Sequence, residues 1–356
     1  MDGSEQVRPA AAFSLTLRGP RVVFGEGVAR RMLSSELDTI GAARVMVVAS
    51  ARELAVRQEL LDGLADRIVG VFTEARRHVP LATAEAARRR ASELGADCLV
   101  SVGGGSAVGT AKAVALESGL PIVSVPTTYA GSDFTPVYGI TDGAVKRTGR
   151  SDTVLPRIVL LDPTLAFDLP LDITLPSAGN ALAHCVSAVF AGGRSPLTDL
   201  MATEGARLLA AGLLGVGETG LQRRARSDLA QGAHMAGTVL AHAGGSAHHT
   251  ICHVLGGAFD LPHAQTHSAI LPSSARYLQE LDPGAARRLA VALGRDDGDL
   301  ATSLSATFSE AGAAVRLRDL GIGRTELDTA AGLLAGEGGV AGLGRPRAVE
   351  LLESAW

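Results

Sequence analysis

The chain has 356 residues, a formal net charge of −4 and 46% hydrophobic residues. This length and hydrophobic content allow a sizeable buried core and predict two domains rather than one. The small net negative charge provides no general attraction to nucleic acid or to an anionic membrane surface. We therefore expect neither of these partners.

The cysteines are Cys98, Cys185 and Cys252, an odd number with wide spacing. This pattern favours reduced thiols in a cytosolic protein over a disulfide framework. The N-terminal region lacks the pattern of a signal peptide. Apolar runs elsewhere are interrupted by charges such as Lys112 and Glu117 before they reach membrane-spanning length. A cytoplasmic protein is expected.

The first half of the chain alternates β-like and helical runs. Short apolar runs rich in Val, Ile and Leu predict strands at 21–24, 44–48, 67–72, 97–102, 121–125 and 157–161. Amphipathic segments predict helices at 53–64, 82–94 and 107–117, and residues 138–148 predict a β-hairpin that turns at Asp142 and Gly143. Buried strands separated by helices indicate a parallel sheet with helices on both faces. We predict an α/β domain over residues 1–165.

Beyond residue 165 the strand signals fade and helical spacing dominates. The pattern predicts helices at 178–191, 199–214, 222–243, 285–293, 301–314 and 347–354, with a further helical pair between the third and the fourth. Residues 166–356 are therefore predicted to form an all-helical domain.

The helical pair at 246–272 is distinctive because it holds five of the chain's nine histidines: His248, His249, His253, His263 and His267. Gly256 and Gly257 predict a helix stop, and residues 260–262 predict the turn into a second helix. Histidines four residues apart share one helix face, and His253 can lie opposite His263 across the turn. So many imidazoles in one apolar hairpin predict a chemical site rather than structural core histidines.

Two polar loops follow neighbouring predicted strands. The strand that ends at residue 102 leads into Gly103, Gly104, Gly105 and Ser106, and a helix follows. Glycines permit close approach of an anion, and the N–H groups at a helix start favour a diphosphate, although neither a Walker lysine nor GxGxxG is present. The next strand leads into the hydroxyl-rich residues 126–132. Ligands of open α/β sheets bind at such strand ends, so a nucleotide is predicted.

A set of segments, in this order, resembles maleylacetate reductases: PRVVFG at 20–25, GGGS at 103–106, PTTYAGS at 126–132, KRTGR at 146–150, NALAH at 180–184, and the histidines from 248 to 267. These enzymes are a branch of the iron-containing alcohol dehydrogenase superfamily, whose fold is similar to that of dehydroquinate synthase. The resemblance implies NADH or NADPH in a cleft between the two domains, a small-molecule substrate from aromatic compound catabolism, and a homodimer.

The resemblance also implies which residues bind the cofactor. The pyrophosphate is expected at residues 103–106, the glycine loop. The nicotinamide and its ribose are expected near residues 126–132, the hydroxyl loop. A lysine on the β-hairpin reaches the cofactor. The positions in this chain are Gly103, Gly104, Gly105, Ser106, Thr127, Thr128, Ser132 and Lys146.

Metal-dependent relatives bind iron or zinc through one aspartate and three histidines. The matching positions are Asn180, His184, His253 and His263. Three neutral imidazoles and a neutral amide leave the charge of a divalent ion uncompensated, so tight metal binding is not expected. Asparagine at this position favours the maleylacetate reductase branch over a metal-dependent alcohol dehydrogenase.

Without a metal, hydride passes from nicotinamide C4 to the β-carbon of a C=C bond conjugated to a carbonyl group. Imidazoles can stabilise the enolate oxygen and protonate the α-carbon. The leading candidates are His253, His263 and His267, followed by His184 and His249. The sequence does not assign the proton donor among them.

Three positions depart from the pattern of the family. Thr250 stands where members often carry lysine, and Gln265 and Ser187 stand where they often carry glutamate. Loss of the lysine removes a partner for a substrate carboxylate, so the substrate is either maleylacetate or a less charged enone or aldehyde. Residues 49–52 offer no acidic side chain for a ribose hydroxyl, and Arg52 is either a partner for a 2′-phosphate or a plain helix residue. Both NADH and NADPH stay open.

Two alternative functions remain open at this stage. In the first, His184, His253 and His263 bind iron or zinc and polarise a carbonyl, as in a metal-dependent alcohol dehydrogenase. In the second, the chain is a non-redox homologue that binds or converts a pathway intermediate, which the departures at Ser187, Thr250 and Gln265 motivate. Metal analysis separates the first alternative from the metal-free reductase, and cofactor binding tests the second.

Overall fold

Short apolar strands in the N-terminal half form one parallel sheet, in which order along the sheet differs from order along the chain. The computed structural model describes residues 12–143, 145–218, 220, 222–295 and 298–356. Within these residues the sheet has six strands in the order β1-β8-β5-β4-β2-β3. The strands are β1 Arg21–Phe24, β2 Val45–Val48, β3 Ile68–Phe72, β4 Cys98–Gly103, β5 Ile122–Pro126 and β8 Ile158–Leu161. The predicted parallel sheet is confirmed, and the predicted strand bounds differ from these by one residue at most.

Helices cover both faces of this sheet. Along β2, Val45 and Val47 pack into one hydrophobic cluster while Met46 and Val48 pack into another. This alternation follows from the two-residue period of a strand, and it explains why the strand is apolar at every position. The helices are α1 Val28–Thr39, α2 Ala51–Leu61, α3 Leu81–Glu93 and α4 Gly105–Ser118.

The predicted β-hairpin is also confirmed. Strands β6 Val137–Asp142 and β7 Val145–Arg150 pair in antiparallel register, with Val137 opposite Arg150. The hairpin contacts the chain ahead of α3, where Pro80 forms a bridge with Thr141. The side chain of Lys146, a predicted cofactor contact, lies outside the described part of the structure.

In the second half of the chain the described residues form helices joined by turns and loops, without a strand, as predicted. Its helices are α5 Leu171–Val189, α6 Pro196–Gly215, α7 Gln222–Ala243, α8 Ala247–Phe259, α9 His263–Leu281, α10 Pro283–Ala292, α11 Leu300–Glu310, α12 Glu326–Ala335 and α13 Arg345–Ala355. The predicted division at residue 165 falls in the connection between β8 and α5 and stays a prediction. No helix in the described ranges combines the length and apolar character needed to cross a bilayer.

Several helix bounds differ from the prediction, and two of these differences have a local cause. Helix α5 begins at Leu171, before the predicted start at 178, and contains Pro176. A proline removes one helix hydrogen bond, so the pattern alone does not predict the turns before it. The predicted stop at Gly256 and Gly257 is wrong, because α8 continues through both glycines to Phe259. It ends where Asp260 takes the left-handed conformation, with φ of 50°, and aspartate is one of the few non-glycine residues that does so readily.

The hydrophobic core is continuous between the two halves of the chain. Tyr129 and Phe134, which follow β5, belong to the same cluster as residues of α5, α6 and α7. The backbone N–H of Tyr129 donates to Ser177 Oγ of α5 at 3.0 Å. A Cβ on Gly237 of α7 would lie 2.3 Å from the carbonyl oxygen of Gly131, so only glycine permits this approach. These contacts fix the hydroxyl loop against α7 and against α5, which carries His184.

Candidate active site

The glycine loop and the hydroxyl loop lie side by side. Strand β4 ends at Gly103 and α4 begins at Gly105, while β5 is the parallel neighbour of β4. A Cβ on Gly104 would lie 2.9 Å from Oγ1 of Thr128, and the N–H of Thr127 donates to the carbonyl of Gly103 at 3.1 Å. The structure therefore brings the two predicted cofactor loops together at one edge of the sheet.

Beneath the hydroxyl loop lies Lys112, which in the sequence stands out only as a charge within an apolar run. Its fully buried Nζ donates to the carbonyl oxygens of Ser132, Thr135 and Val137 at 2.7, 2.7 and 2.8 Å. Burial lowers the pKa of Lys112 to about 7, with Asp133 opposing the change. Because three carbonyl contacts use all three donors of an ammonium group, we assign the charged form. Lys112 holds the backbone of the loop that carries Ser132.

A second residue that the sequence pattern did not reveal is Glu53, one position beyond the segment considered for cofactor choice. Its Cγ would lie 3.7 Å from a Cβ on Gly103, so the side chain borders the glycine loop. Its Oε2 is buried without a hydrogen bond. The nearest cation, Arg57 Nε, is 3.7 Å from this oxygen, which is an ion pair but is too long for a hydrogen bond. Arg52, the residue considered for a 2′-phosphate, is exposed on the same helix.

Three helices assemble the histidine cluster. Helix α5 contributes one histidine, α8 contributes three and α9 contributes two, namely His184, His248, His249, His253, His263 and His267. The ring centroids of His253 and His263 lie 6.2 Å apart in a stacked arrangement across the turn, as predicted. Within α9, the rings of His263 and His267 are 4.5 Å apart. The predicted geometry of the hairpin is therefore confirmed.

Exposure divides the cluster into two layers. The outer pair, His253 and His263, is exposed, whereas the inner four, His184, His248, His249 and His267, are at least 92% buried. Burial first, and neighbouring imidazoles second, lower the pKa values of His184, His248 and His267 well below the usual range. The same causes lower the pKa of His249 to about 3. The inner four are therefore neutral at pH 7.

One chain of hydrogen bonds runs through the buried layer from α5 to the start of α8. Nδ2 of Asn180 is 3.1 Å from Nε2 of His184, whose Nδ1 is 2.9 Å from Nε2 of His249. Nδ1 of His249 is 2.7 Å from Ser187 Oγ, which also accepts the N–H of Ser246 at 2.7 Å. Ser187, a departure from the pattern of the family, thus gives His249 a neutral hydroxyl partner.

A second chain lies on the α9 side of the cluster. Nδ1 of His248 is 2.7 Å from Ser274 Oγ, and Nε2 of His248 is 2.9 Å from Nδ1 of His267. Cys252 Sγ is 3.6 Å from the same Nε2, and burial raises the pKa of this thiol well above its usual value. Cys252 is therefore a neutral thiol and not a nucleophile.

The residues at the predicted metal positions do not fit a divalent ion. Asn180 Oδ1 is buried without a hydrogen bond, but it is the oxygen of a neutral amide, and both ring nitrogens of His184 already make hydrogen bonds. The set contains no carboxylate, and it combines the buried His184 with the exposed His253 and His263. The ligand atoms of His248, Cys252 and His267 also lie within 4.8 Å of one another, but Nε2 of His248 and Nδ1 of His267 are hydrogen-bonded to each other, and burial favours the neutral form of the thiol. We assign no step to a metal.

Comparison with known proteins shows the family. The model described as iron-containing alcohol dehydrogenase matches residues 19–163, and the C-terminal model of the Fe-containing alcohol dehydrogenase family matches residues 174–347. Maleylacetate reductase from Burkholderia cepacia is 43% identical over 90% of both chains. Maleylacetate reductase from Sphingobium indicum is 43% identical over 88% of both chains.

Solved structures agree with this assignment. The crystal structure of maleylacetate reductase from Agrobacterium tumefaciens has a TM-score of 0.92 and 34% identity, covering 97% of this chain and 98% of that one. The fold, the paired cofactor loops and the histidine cluster accord with an NAD(P)H-dependent oxidoreductase that acts on a small molecule. The chain belongs to the iron-containing alcohol dehydrogenase family and, within it, to the maleylacetate reductase branch.

Proposed function

We propose that the chain reduces the C=C bond of maleylacetate, or of a less charged enone, with a nicotinamide cofactor in the cleft. This proposal rests on the observation that helix α5 extends from the hydroxyl loop to the histidine cluster. Ser177 of this helix binds the hydroxyl loop, and His184 follows two turns later, about 10 Å along the helix axis. A nicotinamide at the loop and a substrate at the histidines would therefore be neighbours.

The roles of the histidines follow from their two layers. A bound nicotinamide supplies the hydride that reaches the β-carbon of the substrate. We assign stabilisation of the enolate oxygen and protonation of the α-carbon to His253 and His263, because these imidazoles are exposed. The inner four are neutral and buried, and they hold the outer pair in place. The adjacency of the two loops supports cofactor binding by Gly103, Gly104, Gly105, Ser106, Thr127, Thr128 and Ser132. The resemblance to maleylacetate reductases supports Lys146 of the hairpin as a further cofactor contact.

The substrate class depends on the charge available near the histidines. The hairpin at 246–272 contains no lysine or arginine. Thr250 and Gln265 are half-buried on it and offer a hydroxyl and an amide. Such neutral partners bind a carboxylate less strongly than a lysine does. Comparison of maleylacetate with an uncharged enone in the same assay would define the preference.

Removal of metals is expected to leave the reaction intact. Chelator-treated protein should oxidise NADH in the presence of maleylacetate at the rate of untreated protein, because no carboxylate compensates an ion at Asn180 and His184. The assay follows the loss of nicotinamide absorbance together with the metal content. Asn180→Asp, which supplies a carboxylate, is the positive control for metal uptake. A stoichiometric metal whose removal abolishes turnover would favour the metal-dependent alternative.

Cofactor choice is expected to depend on Glu53. Because β2 lies beyond β4 on the side away from β5, a cofactor with its nicotinamide at the hydroxyl loop directs its adenosine end towards β2 and Glu53. We propose that Glu53 Oε2, which pairs with Arg57 but accepts no hydrogen bond, accepts a ribose hydroxyl and disfavours a 2′-phosphate.

Glu53→Gln should lower the ratio of kcat/KM for NADH to that for NADPH by roughly 10- to 100-fold, the worth of a hydrogen bond to a charged group. Glu59→Gln, an exposed acid on the same helix that pairs with Arg30 at 3.3 Å, is the matched control. An unchanged ratio in Glu53→Gln would place the adenosine ribose elsewhere.

We also propose that the protein works as a homodimer in the cytoplasm. The resemblance to maleylacetate reductases supports the dimer. The cysteines in the described ranges, Cys98, Cys185 and Cys252, are all buried and free, which supports a reducing compartment.

A further inference from the structure

The positions of the hydrogens along the second hydrogen-bond chain can be assigned from its Ser274 end. Ser274 Oγ donates its hydrogen to the carbonyl oxygen of Leu271 at 3.1 Å. We assign the one hydrogen of this hydroxyl to that carbonyl, so that Ser274 Oγ accepts from Nδ1 of His248, which lies 2.7 Å away. His248 therefore carries its hydrogen on Nδ1.

The same argument places the hydrogen of His267. A neutral imidazole with its hydrogen on Nδ1 has a bare Nε2, which accepts from the Nδ1–H of His267 at 2.9 Å. Neutral His267 must then have a bare Nε2 as well. This nitrogen is buried and has no hydrogen-bond partner. The ring that carries it lies 4.5 Å from His263, 5.0 Å from His249 and 5.8 Å from His184, measured between centroids.

We propose that Ser274 and His248 are positioning residues that fix one tautomer of His267, so that His267 Nε2 serves the active site as a hydrogen-bond acceptor. This inference rests on the proposed function and deepens it. His267, one of the candidates for proton donation that the sequence indicated, would not be the donor to substrate. The nearest exposed imidazole, His263, is the group that the acceptor can orient.

Two features of the cluster support a hydrogen-bond device rather than a metal site. The carbonyl of Leu271 gives the chain a fixed end, which a set of metal ligands would not need. A metal on His248 Nε2, Cys252 Sγ and His267 Nδ1 would require a thiolate and would move the hydrogen of His267 to Nε2. The two arrangements therefore predict opposite tautomers of His267.

The tautomer can be observed by long-range proton–nitrogen correlation NMR on the full chain with isotope-labelled histidine. The His267 signal is assigned by its loss in His267→Gln. We expect hydrogen on Nδ1 in the unmodified protein. Hydrogen on Nε2 of His267 in that protein would overturn the proposal, whether a metal or another partner caused it. This measurement requires no substrate, so it is informative even if the proposed reaction fails.

Substitutions of Ser274 test its role in positioning His248 and His267. Ser274→Ala removes the acceptor of His248, so His248 and then His267 should exchange tautomers, and kcat should fall roughly tenfold with KM for NADH unchanged. Ser274→Thr keeps a hydroxyl and should restore both the tautomer and kcat. Ser273→Ala is the matched control, because its hydroxyl binds Ser354 at 2.7 Å outside the cluster. Retention of the original tautomer and of kcat in Ser274→Ala would overturn the proposal.

Discussion

Replacement of His253 or His263 by alanine lowers kcat by roughly 10²- to 10⁴-fold, the usual contribution of a positioned acid or base. These two imidazoles are the exposed members of the cluster and can reach a substrate in the cleft. Their side chains contribute little to the buried core, so the folded structure should persist. The expected result is a loss of turnover without a loss of secondary structure, measured by steady-state NADH oxidation and circular dichroism.

His242→Ala provides the matched control. His242 lies on α7 and binds the carbonyl of Thr238 and the N–H of Arg18, away from the cluster. Its replacement should leave kcat within about twofold, as is typical of a substitution away from the site. If His253→Ala and His263→Ala behave like this control, proton transfer must involve another group, and the assignment to the outer pair fails.

Replacement of Lys112 by methionine has the largest expected effect on stability. Methionine fills a similar volume but leaves the carbonyls of Ser132, Thr135 and Val137 without their shared donor. Loss of one partner from a buried charged network costs about 3–5 kcal/mol of unfolding free energy. We expect a lower urea midpoint by circular dichroism and weaker NADH binding, since the loop that carries Ser132 loses its support.

Arg347→Met is the comparison for this effect. Arg347 forms an ion pair with Glu280 at 2.6 Å, but both side chains are more than half exposed. Pairs of this kind contribute about 0–1 kcal/mol. An equal loss of stability in the two variants would show that the interior position of Lys112 is unimportant, contrary to our interpretation.

The fold was largely predictable because its signals are local. Continuous apolar runs mark strands that are buried on both faces, and the glycine loop marks the start of α4. The histidine spacing predicted that His263 and His267 share one helix face, because four residues make about one helical turn. Helix α12 was not predicted. Its apolar face can be recognised only in the structure, where it packs against α13 and α8 in a separate hydrophobic cluster.

The parts of the site that the sequence did not predict depend on contacts between distant segments. Nothing local indicates that Lys112 binds carbonyls about 20 residues away, or that Glu53 borders Gly103. The two layers of histidines depend on three helices and could not be read from spacing. The family pattern suggested that Ser187 was a lost glutamate, whereas the structure shows it as the hydroxyl partner of His249.

The apolar cluster that joins the two halves of the chain limits how far the halves can move relative to each other. Tyr129 and Phe134 would have to leave α5 and α7 before the halves could swing apart, and exposure of apolar surface costs roughly 25 cal/mol per Å². We infer that a rigid-body opening, in which the two halves rotate apart, is disfavoured. The hydroxyl loop would instead keep its position relative to α5 while cofactor and substrate bind.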